Sequence, residues 1–192
     1  VPDDISLFSL IQWSPLHLLI PLVIVQRVAE LRVAKRNERI MRERGAVEVG
    51  DAHYAAIVAL HTVWFFGMIA EIVILTRPIN PFWPALLAIV LLAQGLRYWA
   101  IRSLGVQWNT KILVLPKGKA VTSGPYRYLR HPNYVAVIIE LLIFPMIFSS
   151  YLTAISASII NLYLLRIRIR TEEEALRTHG KGYEKVGGQK GS

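Results

Sequence analysis

Cysteine is absent from the 192 residues. That excludes disulfides, thiolate metal sites, cysteine nucleophiles and covalent haem attachment. No G-x-G-x-x-G strand–turn–helix signature is present either, so a soluble Rossmann-type cofactor domain is not available. The chain has no internal repeat, no low-complexity tract and no separate soluble domain. Acidic residues are scarce: 13 Asp and Glu stand against 22 Lys and Arg, a formal net charge of +9. The N-terminal VPDDISLF lacks the basic start and small-residue cleavage site of a signal peptide. The C-terminal GGQKGS reads as a tail, and neither end is expected to carry function.

What fills the chain instead is apolar. Hydrophobic residues make up 54% of it, with a mean hydropathy of +0.41. Five apolar segments stand out: Leu7–Leu31, His53–Thr76, Phe82–Ile101, Tyr134–Ser149 and Tyr151–Ile167. A helical span needs about 20 residues, which the first three satisfy. The last two are short and touch at Ser149-Ser150, so they read as a tight helical hairpin. Basic residues then set the topology. Arg32, Lys35, Arg36, Arg39, Arg42 and Arg44 fall in one loop, and Arg102, Lys111, Lys117, Lys119, Arg127 and Arg130 in another. The tail is basic as well, whereas the opposite side holds Arg77, Asp3 and Asp4. The positive-inside rule puts the N-terminus outside and the C-terminus in the cytosol. The expected fold is therefore an all-α integral membrane protein of five transmembrane helices, the last two a hairpin. Its basic residues serve topology and lipid headgroups, and neither nucleic acid nor metal is expected as a partner.

Two clusters carry chemistry. The first, GPYRYLRHPNY at residues 124–134, lies at the mouth of the fourth segment. His131-Pro132 marks a helix start, because proline suits the first turn, and a helix N-terminus attracts anions. Aromatic faces beside it attract cations. An interfacial belt of Tyr and Arg explains the same composition equally well. The second cluster, RIRIRTEEEAL at residues 166–176, reads as a collar of snorkelling arginines and a solvated acidic turn, or as part of a site.

Together the clusters resemble the isoprenylcysteine carboxyl methyltransferase family, which includes related phospholipid methyltransferases. The pattern G-x-Y-x-x-x-R-H-P-x-Y is matched by Gly124, Tyr126, Arg130, His131, Pro132 and Tyr134. E-E-x-x-L is matched by Glu172, Glu173 and Leu176, and G-x-x-Y by Gly180 and Tyr183. A preceding L-G-x-x-W is matched by Leu104, Gly105 and Trp108. The resemblance spans roughly residues 95–185 and implies an integral membrane enzyme that uses S-adenosylmethionine at the cytosolic face. It implies that Tyr126, His131, Pro132 and Tyr134 hold the cofactor, with backbone contacts from the stretch containing Lys111, Leu113 and Leu115. It assigns catalysis to Arg130 and Glu173, with Glu172 as a cofactor contact and the alternative register. Residues 1–101 then form a three-helix acceptor side, and residues 102–192 the cofactor-binding and catalytic part of one domain.

The N-terminal half bears on the acceptor. Arg27, Glu30 and Leu31, then Ala34, Arg36, Asn37 and Glu38, then Gly45-Ala46 and His53-Tyr54 are similar to a bacterial branch associated with type III polyketide synthases. Members of that branch O-methylate long-chain alkylpyrones or alkylresorcinols, which implies a bacterial inner membrane and a lipophilic acceptor. Arg36-Asn37-Glu38 also reads simply as a solvated helix. Ionisable residues inside spans are costly and face a cavity or a partner. His61 and Glu140 lie at matching depth, roughly 10–12 Å below the cytosolic face. With Trp108 they are candidates for the acceptor pocket, His61 accepting a phenol or enol proton. A structural His61–Glu140 pair tying two helices together is the other reading. Glu71 lies nearer the far side and reads as structural. Carboxyl methylation of a prenylated cysteine is the alternative reaction, and phospholipid amine methylation a third. A non-catalytic receptor or transporter subunit would show no cofactor affinity.

Overall fold

Proline, glycine and serine decide where the apolar segments begin and end as helices. The computed structural model describes residues 14–50, 54–116, 118–179 and 186. Residues 7–13 of the first apolar segment, and His53, Lys117, Gly180 and Tyr183, lie outside the described residues. Among the described residues there are five α-helices: α1 (Leu19–Glu43), α2 (Tyr54–Ile74), α3 (Trp83–Leu104), α4 (Pro132–Ile147) and α5 (Tyr151–His179).

A single turn, Pro15–Leu18, precedes α1, with the Ser14 hydroxyl accepting from the Leu16 amide at 3.3 Å. The sequence places the end of this segment at Leu31, but α1 runs on to Glu43. The Arg, Lys and Glu residues there are good helix formers, and Ala34, Asn37 and Met41 bury one face at helical spacing. Gly45, at φ +82, ends the run. Pro84 opens α3 and Pro132 opens α4. Pro145 sits in the last turn of α4, and Ser149 adopts φ +54. The Ser150 amide then donates to the Pro145 carbonyl at 3.0 Å. This is the expected hairpin, although α5 continues past Ile167 through the glutamates to His179.

α3 packs on α4, α4 on α5, and α2 on α5. The tightest core lies at the hairpin end, where Trp64 and Met68 of α2 meet Leu141, Phe144, Ile147 and Phe148. The Trp64 indole donates to the Leu141 carbonyl at 3.1 Å. Outward-facing residues are apolar as well: Phe66, Leu92 and Leu152 are largely exposed. α2, α3 and α5 are long and apolar enough to cross a membrane, which makes this an integral membrane protein. Helix association in such a solvent rests on close packing and interhelical hydrogen bonds rather than on apolar burial. α4 is shorter, and α1 carries Arg27, Glu30 and Arg32 within its length.

The opposite end is more polar and more loosely filled. A two-stranded antiparallel ribbon, β1 (Val47–Val49) on β2 (Ile112–Val114), pairs Val47 with Val114 and Val49 with Ile112. Sequence patterning does not anticipate it. Buried Asn37 donates to the carbonyls of Trp108 at 2.8 Å and Gly105 at 3.1 Å. The Arg36-Asn37-Glu38 stretch is therefore in part a clamp rather than a wholly solvated face. Lys111 joins it, 2.9 Å from Glu48 and 3.4 Å from Glu38. These ties hold α1 to the segment after α3 and leave a cavity between the helices at this end.

Candidate active site

Two motif glycines shape the approach to the cavity. Gly105, at φ +53, ends α3. Gly124 has φ +61, and a Cβ there would come within 2.1 Å of the Ser103 hydroxyl. Only glycine fits. It lets the single turn Gly124–Arg127 pack onto α3 and buries Pro125 and Tyr126. Pro132 is buried at the first turn of α4 and orients it, without reaching the cavity wall.

The cavity measures about 430 Å³, within the usual range for small-molecule sites. Its polar residues form two tiers. The mouth contains Tyr126, Arg130, His131, Tyr134, Arg168 and Glu172. His131 stacks on Tyr134, with ring centroids 5.3 Å apart and planes at 14°. The Tyr134 hydroxyl donates to Glu172 and accepts from Arg168 Nε at 2.8 Å. Arg168 also donates to the Thr110 carbonyl at 2.6 Å. Glu173 lies 3.3 Å from His131 Nε2, 3.5 Å from Arg130 and 3.8 Å from Arg177. Of the two candidate carboxylates, Glu172 is on the cavity wall, and Glu173 braces Arg130 and His131. Burial, with the nearby Glu172 charge, pushes the Tyr126 phenol well up, so Tyr126 remains a neutral hydroxyl. Lys111 and Leu113 line the wall, whereas Leu115 does not. Three buried polar atoms here have no hydrogen-bond partner among the described residues: Trp108 Nε1, Asn109 Oδ1 and Asn133 Oδ1.

The floor lies about one and a half to two helical turns deeper, roughly 10 Å by residue rise. It holds His61, Asn161, Arg27, Glu30 and Arg97 on the wall, with Glu140 buried beside them. His61 and Glu140 do share this level, but they do not form the expected pair. Glu140 bonds Arg27 and Arg97. His61 Nδ1 instead sits 2.8 Å from the Ile57 carbonyl one turn earlier in α2. The reason is competition: two guanidinium groups offer a buried carboxylate more donors and full counter-charge than one imidazole does. Between the tiers the wall is apolar, from Ile57, Val58, Phe65, Val137 and Leu165. Glu71 is elsewhere, at the hairpin end, capping α5.

Sequence reasoning passes over several of these residues. Arg168 reads as one arginine of a collar, yet Arg166 and Arg170 are exposed while Arg168 is buried. The legible signal is a stripe on α5: Asn161, Leu165, Arg168, Glu172 and Leu176 recur at helical spacing and all line the cavity. Arg97 lies unremarked in the third apolar segment, and Arg27 and Glu30 register only through the resemblance. Their signal is polar pairing three residues apart, Arg27 with Glu30 and Gln94 with Arg97, on otherwise apolar faces.

Comparison with known proteins closes the identification. The family model described as the isoprenylcysteine carboxyl methyltransferase family matches residues 86–178, which include the whole mouth from Tyr126 to Glu172, along with Arg97 and Glu140. Arg27, Glu30 and His61 lie before that stretch. The uncharacterized protein YpbQ of Bacillus subtilis (strain 168) is 43% identical over 162 residues, covering 84% of this chain and 96% of the relative. An uncharacterized protein of Haemophilus influenzae is 28% identical over 155 residues, covering 80% of this chain and 90% of the relative. No solved structure matches the chain. The chain belongs to the isoprenylcysteine carboxyl methyltransferase family, and it is a membrane methyltransferase that draws its methyl group from S-adenosylmethionine.

Proposed function

We propose that this enzyme O-methylates a long-chain alkylpyrone or alkylresorcinol, with Nε2 of His61 taking the proton from the acceptor hydroxyl. The observation that carries this reading is the 2.8 Å contact of His61 Nδ1 with the Ile57 carbonyl. A ring nitrogen that meets a carbonyl is the one bearing hydrogen, which leaves Nε2 as a lone-pair base. The ring is on the cavity wall. A phenol or enol needs such a base, and a carboxylate does not.

The mouth suits S-adenosylmethionine. Its unpaired Trp108, Asn109 and Asn133 atoms offer a donor and two acceptors, the Tyr126, His131 and Tyr134 rings offer aromatic faces, and Glu172 offers a negative charge. When bound, the cofactor supplies an electrophilic methyl group on a sulfonium. Glu172, Tyr126, His131 and Tyr134 hold it, together with the backbone from Lys111 to Leu115, and Pro132 sets the angle of α4. Arg168 fixes the Tyr134 hydroxyl. Arg130 orients the reacting groups, and Glu173 holds Arg130 and His131 in place. Transfer of this kind depends on orientation, which the hydrogen bonds among Tyr134, Arg168 and Glu172 supply at the mouth.

In this reading all five helices cross a bacterial inner membrane, with the N-terminus outside and the mouth at the cytosolic face. The lysines and arginines gathered at the mouth end support that orientation. Residues 1–101 serve mainly the acceptor and residues 102–192 the cofactor. The acceptor's alkyl tail leaves sideways between the helices into the lipid, so that the space between floor and mouth stays open for the reacting groups to meet.

The test is transfer of labelled methyl, by enzyme in lipid, to alkylpyrone, alkylresorcinol, prenylcysteine and phosphatidylethanolamine. Label is expected in the pyrone or resorcinol, and His61→Ala lowers that rate by about 10²-fold or more. Label in prenylcysteine at a rate untouched by His61→Ala would overturn the reading in favour of carboxyl methylation.

A further inference from the structure

The floor contains four charged side chains drawn from three helices: Arg27 and Glu30 from α1, Arg97 from α3 and Glu140 from α4. One oxygen of Glu140, Oε2, accepts from both Arg27 and Arg97. Arg27 also donates to Glu30, and Arg97 lies 3.5 Å from Glu30. Gln26 extends the ring, donating to Glu30 at 2.9 Å and to Gln94 at 2.8 Å. The arrangement is closed, and its two positive and two negative charges cancel. Arg97 and Glu140 are almost fully buried, at 6% and 2% side-chain exposure. Satisfaction is nevertheless incomplete: Glu140 Oε1, Arg97 Nε and Gln94 Nε2 have no partner among the described residues. Arg27, Glu30 and Arg97 line the cavity.

Two buried ion pairs that merely joined helices would not need three of their four members on a cavity wall. Such pairs gain little over apolar packing once desolvation is counted. We infer that this quartet is the floor of the acceptor site and selects a neutral hydroxylic head over an anionic head on the same alkyl chain. The inference rests on the reading that a lipophilic acceptor enters this cavity. A hydroxyl both donates and accepts, so it can bond Glu30 and a guanidinium at once without altering the charge balance. A carboxylate or sulfonate only accepts. The two arginine charges are already balanced by Glu30 and Glu140, so its own charge would stand uncompensated in a desolvated site. The quartet thereby acts against anionic lipids and fatty acids, which abound in any membrane, and leaves deprotonation of the head to His61 Nε2.

The test compares binding of two probes with the same tail, pentadecylresorcinol and pentadecane-1-sulfonate, to the full chain in lipid nanodiscs at neutral pH. The sulfonate stays ionised whatever its surroundings. Wild-type protein is expected to favour the resorcinol. Glu140→Gln keeps the shape of the quartet but leaves two arginines facing one carboxylate, so the ratio shifts toward the sulfonate by at least about tenfold, the minimum expected for one unbalanced charge in a desolvated site. Glu30→Gln, at a less buried position, moves the ratio the same way and decides the matter should Glu140→Gln fail to fold. Affinity for S-adenosylmethionine stays unchanged in both, which a general loosening of the helices would not allow. A ratio equal to wild type in the folded variants, or a wild type that prefers the sulfonate, overturns the inference. If the ratio shifts but no resorcinol or pyrone is methylated, the selectivity stands and the proposed acceptor is wrong. If methylation occurs and the ratio does not move, the selectivity alone fails.

Discussion

The two ends of the bundle treat a buried carboxylate in opposite ways. Glu71 and Glu140 both sit in apolar helices, 6% and 2% exposed. At the hairpin end, Glu71 accepts from the backbone amides of Leu152 at 3.2 Å and Thr153 at 2.9 Å, and from the Thr153 hydroxyl at 2.9 Å. It is a helix cap delivered from a neighbouring helix, and the positive end of α5 supplies most of its compensation. Arg77, 3.9 Å away and partly exposed, adds a weaker contact. At the mouth end Glu140 is compensated by two full charges, and those charges line a cavity. A carboxylate buried in an apolar helix is therefore not by itself a sign of function. What decides is whether its partners are backbone donors consumed by the contact or side chains that also face open space.

The comparison can be broken at either end. The largest effect is expected at the mouth: Arg130→Ala or Glu172→Ala lowers labelled-methyl transfer by about 10²-fold or more, while the circular-dichroism melt stays close to wild type. A melt that falls as far as the activity would make these residues structural and erase the distinction between the ends. Next comes the cap. Glu71→Ala strands the amides and hydroxyl at the start of α5 and costs about 3 kcal/mol of stability, read by denaturant titration. Transfer per folded molecule is unchanged. Lost transfer at full stability would show that the hairpin end takes part in the reaction after all.

Smaller effects sharpen the contrast within the mouth end. Asn37→Ala removes the donor shared by the Gly105 and Trp108 carbonyls and costs about 2 kcal/mol. Cofactor affinity falls with it, because Trp108 belongs to the wall that Asn37 holds. Arg42→Met removes a guanidinium that is about half exposed and paired with Glu38 and Glu48. Solvent screening limits that change to under about 1 kcal/mol, and the difference disappears at high salt. An Arg42 effect as large as that of Asn37 would mean that the ribbon, rather than the buried amide, secures the segment after α3.

Much of this architecture is written locally. The apolar lengths anticipate α2, α3 and the α4–α5 hairpin, because proline, glycine and serine punctuation acts on the residues beside it. Tyr126, Arg130, His131, Tyr134, Glu172 and Glu173 do converge. α1 is misjudged because its charged half, residues 32–43, forms helix as readily as an apolar one and turns Asn37 and Met41 inward. The β1–β2 ribbon escapes because three-residue strands from distant segments carry no periodic signal of their own. The choice between Glu172 and Glu173 escapes because adjacent residues differ by about 100° around a helix, and only packing sets the zero of that rotation.

The sequence by itself determined that this is a helical membrane methyltransferase with its family motifs around one helix mouth. Helix length, hydropathy and short motifs are properties of contiguous chain, and they survive without knowledge of neighbours. Tertiary structure alone decided which charges turn inward: Arg168 rather than Arg166 or Arg170, Glu140 against Arg27 and Arg97 rather than His61, and Glu71 against a helix end. Each of those outcomes depends on the rotation and depth of one helix relative to another. A buried charge takes the strongest compensation within reach, and what lies within reach is fixed only when the helices pack.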